Sequence, residues 1–275
     1  KGGTGKTLVS TNLAAVAKKS TYIDCDVEEP NGYLFFKPEN TIMESIGIRV
    51  PYVNQELCNG CRICVDFCKF NSLVYIKNKL KIFEDICHSC GGCILFCPEK
   101  ALSERDKIIG EIREGISEDV RVITGILNTG EESGVPIIKE MMSINVKGLT
   151  IIDSPPGSAC IVMESIKNVD YCILVTEPTI FGVHNLNMVY NLVKLFNKPF
   201  GVIINKIHGE ENPAEIFCKE NNIKIIGKIP FDEELGNMNS KGLILSREKK
   251  EYYDFFSNLL ESILKEVSHE KAINT

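Results

Sequence analysis

At 275 residues, 44% of them hydrophobic and 25% charged, the chain is long enough to bury one large core and a smaller second one. A net charge of -6 and a pI near 5.4 exclude any general attraction to nucleic acid. The longest apolar runs are of strand length, too short to span a bilayer, and no secretory signal is visible, so a cytoplasmic protein is expected.

Lys1-Gly2-Gly3-Thr4-Gly5-Lys6-Thr7 is a P-loop that lacks only its first glycine. Gly2, Gly3 and Gly5, with Thr4 between them, let backbone N–H groups turn inward onto phosphate oxygens. A helix predicted from about Thr7 to Lys19 aims its positive end at the same charge. Lys6 is placed to reach the β and γ phosphates of ATP, and the Thr7 hydroxyl to bind Mg2+. The strand that normally precedes such a loop is absent from the sequence, which suggests an incomplete N-terminus. The extra lysine, Lys1, makes the motif resemble the deviant Walker A of the MinD/ParA class of ATPases, to which the nitrogenase iron protein also belongs. By that resemblance Lys1 reaches the partner's phosphates across a nucleotide-sandwich homodimer.

Tyr22-Ile23-Asp24-Cys25-Asp26 ends a short strand, and its alternate carboxylates share one face. In the family's Asp-x-Asp element, which this segment resembles, Asp26 orients the attacking water and Asp24 holds Mg2+ through water.

Between about residues 49 and 105 the chain changes character. Cys58-x2-Cys61-x2-Cys64-x3-Cys68 and Cys87-x2-Cys90-x2-Cys93-x3-Cys97 are two copies of one pattern, offset by 29 residues (87 minus 58). Three closely spaced thiolates can wrap three corners of a [4Fe-4S] cube, while the fourth is carried off to the other cube. The expected sets are Cys58, Cys61, Cys64 and Cys97 on one cluster, and Cys87, Cys90, Cys93 and Cys68 on the second. A disulfide framework needs an oxidising compartment, and structural zinc sites usually separate their Cys-x2-4-Cys knuckles, so both rivals fit the spacing less well. The pattern resembles bacterial-type ferredoxins, with Lys69 standing where those carry proline; Pro98 keeps it after Cys97. His88 is expected to tune a cluster sulfur by hydrogen bonding. Leu73–Ile76 and Leu80–Phe83, around Lys77-Asn78-Lys79, predict a hairpin between the two loops.

Leu149 to Asp153 reads as a buried strand leading into Ser154-Pro155-Pro156-Gly157, similar to the family's Walker B and switch II, where Asp153 binds the hydration shell of Mg2+. Strands over Tyr171–Thr176, Phe200–Asn205 and Ile223–Ile229 alternate with helical stretches, which argues a mostly parallel α/β sheet with helices on both faces. By resemblance, Asn205 and Lys206, with the Ile229-Pro230-Phe231-Asp232 segment, contact the adenine. Cys172 and Cys218 read as small core residues, and Cys160 as the one free thiol near switch II. The last helix carries an apolar face typical of a core helix, not of a membrane-targeting one.

The whole chain resembles a MinD-superfamily P-loop ATPase (residues 1–48 and 106–275) interrupted by a small ferredoxin-like α+β domain (residues 49–105). Two functions follow. One is an ATPase switch that gates electron transfer or cluster delivery to a protein partner. The other is a partner- or surface-binding switch with structural or sensory clusters. The insertion departs soon after Asp26 and returns before Asp153, so both its hinges are expected near nucleotide-responsive segments.

Overall fold

The computed structural model describes residues 2–209 and 212–273, with side chains through residue 268. The P-loop leads directly into α1 (Lys6–Val16), whose Leu8, Val9, Leu13 and Val16 are buried. Next come β1 (Thr21–Asp24) and the short α2 (Gly32–Phe36). A long strand, β2 (Glu39–Val53), then enters the cysteine block. This block contains α3 (Ile63–Phe67), the hairpin β3 (Leu73–Ile76) and β4 (Lys79–Ile82), and α4 (Gly92–Leu95). The chain returns along β5 (Leu102–Ser117) and turns sharply into β6 (Val120–Leu127). Helices and strands then alternate: α5 (Val135–Ser143), β7 (Thr150–Asp153), α6 (Cys160–Ile166), β8 (Cys172–Thr176), α7 (Ile180–Leu195), β9 (Phe200–Ile207), α8 (Pro213–Glu220) and β10 (Ile225–Pro230). Three helices close the fold: α9 (Glu233–Ser240), α10 (Leu245–Glu248) and α11 (Lys250–Ile273).

One sheet has the order β2-β5-β6-β1-β7 and another the order β10-β9-β8. β6, β1 and β7 are mutually parallel, as are all three strands of the second sheet, whereas β5 is antiparallel to both its neighbours. Alternation along the strands sends side chains to opposite faces. On β9, Ile203 joins Leu8, Leu13, Phe256 and Leu259 under α1 and α11, while Val202 and Ile204 join Val162, Leu186 and Cys218 on the other side. A third core gathers Ile23, Ile123, Ile137 and Met141 beneath α5. Helices therefore cover both faces, and α11 is the core helix its pattern predicts. No helix among the described residues is long and apolar enough to cross a membrane.

The path of β2 and β5 differs from expectation. The anticipated boundaries, 48/49 and 105/106, fall inside these two strands, which belong to the main sheet and to the cysteine block at once. β6 ends at Leu127, opposite Gly110 of β5. Residues 102–109 of β5 run on past that end with β2 as their strand partner, over about 26 Å at ~3.3 Å per residue. Because β6 is parallel to β1, this two-stranded ribbon carries the cysteines toward the end where β1 and β7 finish and the P-loop lies. Its root is not beside β1, however: β5 and β6 stand between β2 and β1.

Candidate functional site

Gly3 and Gly5 adopt positive φ values of 80° and 96°, a region that costs a side-chain-bearing residue energy. Gly5 has a second constraint, since a Cβ there would strike the amide of Asn205. That amide donates to the Thr4 carbonyl at 2.9 Å, and Lys206 Nζ donates to the Gly3 carbonyl at 2.9 Å and to Glu177 at 2.8 Å. Asn205 and Lys206, read from the sequence as adenine contacts, thus brace the phosphate loop itself. Pro230 closes β10, and the next residue, Phe231, rests against His208. Lys1 lies outside the described residues.

Register sets Asp24 of β1 directly beside Asp153 of β7. Both are buried, and burial raises both carboxyls above the usual carboxylate range; the charge of Asp153 adds to the shift at Asp24. Hydrogen bonds from Thr7 and Tyr22 oppose the shift at Asp153. Asp24 also accepts N–H groups from Gly32 at 2.8 Å, Asn31 at 3.1 Å and Asp26 at 3.2 Å, so it orders the loop after β1. Asp26 is half-buried; burial raises its carboxyl to about 6, against the lowering effect of the nearby Lys6 ammonium. Two buried carboxylates and a threonine hydroxyl are an oxygen donor set that suits Mg2+, whose charge would stabilise them.

Tyr22 is the residue sequence reading missed. Its hydroxyl is fully buried and donates to Asp153 Oδ2 at 3.0 Å. Its ring packs on Phe36 at 4.8 Å and on Gly32, where a Cβ would collide with it. A tyrosine on a short, fully buried strand was the available signal, because a buried phenol needs a polar partner.

In the cysteine block, two cavities divide the eight thiols four and four. Cys68, Cys87, Cys90 and Cys93 line one of about 310 Å3, and Cys58, Cys61, Cys64 and Cys97 line a narrower cleft. None of the eight forms a disulfide. Among the described residues no three His, Cys, Asp or Glu side chains close around a single metal ion; the thiols stand apart around a space instead. Burial, then the neighbouring sulfurs of Cys87, Cys64 and Cys90, push Cys93 up to about 11. At Cys68 burial is outweighed by the Ser72 hydroxyl and by the N–H groups of residues 70–72, and the thiol falls below its ordinary value. Four sulfurs around each cavity fit a guest rich in positive metal ions. The Phe67 ring fills the space over Gly92 and meets Phe96 at 4.9 Å, holding α3 against α4. His88 stacks face to face on Phe70 at 3.7 Å and lines the same cavity as Cys87 and Cys90. Of the other cysteines, Cys25, Cys172 and Cys218 are buried and Cys160 is exposed at the start of α6.

A P-loop before α1, acidic ends on β1 and β7, and a helix-covered, mostly parallel sheet define an α/β P-loop nucleotide-binding protein. The chain belongs to the CobQ/CobB/MinD/ParA nucleotide binding domain family, whose description matches residues 1–245. It is 31% identical to an uncharacterised protein of Methanocaldococcus jannaschii over 96% of this chain and 93% of that one. An iron-sulfur cluster carrier protein of the same organism is 24% identical over 98% of this chain and 83% of its own length. Among solved structures, the septum site-determining protein MinD of Pyrococcus horikoshii, complexed with Mg-ADP, has the same fold. Its TM-score is 0.57 at 17% identity, over 96% of this chain and 92% of that one.

Proposed function

We propose that this protein is a cytoplasmic, homodimeric Mg-ATPase whose nucleotide state governs two [4Fe-4S] clusters, gating electron transfer or cluster delivery to a protein partner. One observation carries the reading. Two quartets of cysteines, each drawn from both halves of the repeat, face two cavities at the end of the sheet that bears the P-loop. The crossed composition is what paired cubes require.

For the nucleotide half, Lys6 meets the β and γ phosphates, and Thr7 with Asp153 and Asp24 holds Mg2+. Asp26 positions the attacking water. The Mg-ADP in the related MinD fold supports this arrangement. Bound clusters would supply one-electron chemistry, held by Cys58, Cys61, Cys64 and Cys97 and by Cys68, Cys87, Cys90 and Cys93. The similarity to an iron-sulfur cluster carrier supports delivery as well as electron transfer.

The test is anaerobic purification with iron and sulfide counts, then redox titration with and without a non-hydrolysable ATP analogue. Coupling of about 1 to 3 kcal/mol is typical between linked sites. For one electron this is a shift of tens of millivolts, at about 59 mV per tenfold change. Reciprocity then requires reduced and oxidised protein to differ in ATP affinity. Potentials that ignore the nucleotide, with redox-blind affinity, would replace this reading by a partner- or surface-binding switch with structural clusters.

A further inference from the structure

The 29-residue repeat makes the cysteine block its own control experiment, because every residue after Cys68 has a counterpart after Cys97. The backbone is matched. Asn71 and Lys100 both take positive φ, 54° and 51°, and their N–H groups donate to the carbonyls of Cys68 and Cys97, each at 3.2 Å.

All four side chains on this shared backbone differ: Lys69 stands opposite Pro98, Phe70 opposite Glu99, Asn71 opposite Lys100, and Ser72 opposite Ala101. Lys69, Phe70 and Ser72 line the cavity of Cys68, while Glu99 and Ala101 line that of Cys97. The Ser72 hydroxyl sits 3.1 Å from Cys68 Sγ, whereas at Cys97 Sγ the matching residue, Ala101, has no hydroxyl to offer and donates its backbone N–H at 3.3 Å. Lys69 brings a cation where proline brings none, and Phe70 replaces a carboxylate. Nearby Arg49 and Glu104 pair with each other at 2.9 Å and cancel. In the narrower cleft Arg62 and Glu99 likewise balance in charge, and Lys100 does not line it.

Reduction adds one negative charge to an iron-sulfur cube, and hydrogen bonds to its sulfurs and nearby positive charge favour the reduced form. Lys69 and the Ser72 hydroxyl, both lining the wider cavity, act in the same direction, while the Glu99 carboxylate is offset by Arg62. We propose that Lys69 and Ser72 make the two sites unequal: the site of Cys68, Cys87, Cys90 and Cys93 has the higher reduction potential, and an electron entering the block settles there. This rests on the reading that both quartets hold cubes. The step is balanced without proton or bond exchange: a low-potential one-electron carrier is oxidised, and a single cube goes from the 2+ to the 1+ state.

The experiment uses the full chain, purified anaerobically, with iron and sulfide counted before any potential is measured. Absence of cubes at that stage defeats the reading of the site; everything after it tests the inequality alone. Electron paramagnetic resonance during a dithionite titration resolves the two cubes, and Cys90→Ser, altering one ligand of the wider site, assigns the signals. Ser72→Ala is expected to weaken electron binding at the Cys68 site by about tenfold, or about 59 mV for one electron. Ala101→Ser, the same hydroxyl introduced at the matching position, should raise the other site. Lys69→Pro combined with Ser72→Ala should bring the two potentials together. Ser72→Thr keeps the hydroxyl and should keep the potential, which separates tuning from damage to the loop. Equal potentials in the parent protein, the reverse order, or a gap untouched by both Ser72→Ala and Ala101→Ser overturn the proposal.

Discussion

Lys107 Nζ lies 2.9 Å from a carboxylate oxygen of Glu131, and both side chains are only 15% exposed. The same ammonium holds Asp85 of the cysteine block at 2.8 Å. Glu131 sits in the loop between β6 and α5, whose Gly134 is packed against Val27, the residue after Asp26, and close to Ile161 of α6. Lys107 is therefore a direct tie between the cysteine block and a loop packed against Val27 and Ile161. Burial disfavours its charge, and the two carboxylates more than restore it. Lys107→Met should cost about 1 kcal/mol, the upper end for partly exposed pairs. Faster amide hydrogen exchange confined to β5 and residues 128–134 is the expected signature; a uniform change across the protein would contradict a local tie.

Removing the Lys6 ammonium and the Asp26 carboxylate should have different consequences. Lys6→Ala loses a charged contact to phosphate, worth about 1.5–3 kcal/mol, and ATP binding measured by calorimetry should weaken by roughly 10- to 150-fold. Asp26→Ala should bind ATP nearly as the parent does and release phosphate about 100- to 10,000-fold more slowly, the range for loss of a positioned general base. Equal turnover in the parent and both variants would remove these residues from the reaction.

The crossed assignment of cysteines makes a prediction that a within-loop assignment does not. Cys97→Ser should disturb the same spectroscopic signal as Cys61→Ser, and Cys68→Ser the same signal as Cys90→Ser, with parent protein carrying about eight irons and eight sulfides. If Cys68→Ser and Cys61→Ser instead affect one signal, each loop keeps its own cube. Stoichiometric zinc in protein kept from oxygen throughout would defeat the cluster reading.

Asn12 ties the ends of the chain together. Its amide donates to Leu8 O at 2.8 Å and its oxygen accepts the Ser246 N–H at 2.7 Å, all in buried surroundings. Asn12→Ala strands that N–H, at a cost of about 1–3 kcal/mol. Thermal unfolding should occur several degrees lower with ATP binding retained. Unchanged melting would mean that solvent reaches Ser246.

Much of this architecture is written locally and was legible for that reason. The P-loop, the ends of β1 and β7, and the cysteine repeat each occupy a few consecutive residues whose types carry the chemistry. β2 and β5 were not legible because an exposed ribbon has little core to bury. Its Glu104-Arg105-Asp106-Lys107 run reads as a solvated loop, and Pro51 argues against a strand unless the strand lies at an edge. β6 escaped notice for another reason: its Val-rich run borders a turn at Glu118 with φ 52° that no glycine announces. The bracing of Thr4 by Asn205 joins residues far apart in the chain, and only the folded sheet brings them together.

The ribbon that lifts the cysteines past the end of β6 has a mechanical consequence. A rigid two-stranded lever of about 26 Å, at ~3.3 Å per residue, converts a tilt of roughly 5° at its root into a displacement of about 2 Å at its tip. Electron tunnelling falls steeply with each ångström of gap, so, were the block to hold the proposed clusters, a strand rotation too small to disturb the main core would change how fast charge leaves it. Lys107, fastened near the root of that lever, is where such a swing would be restrained or released.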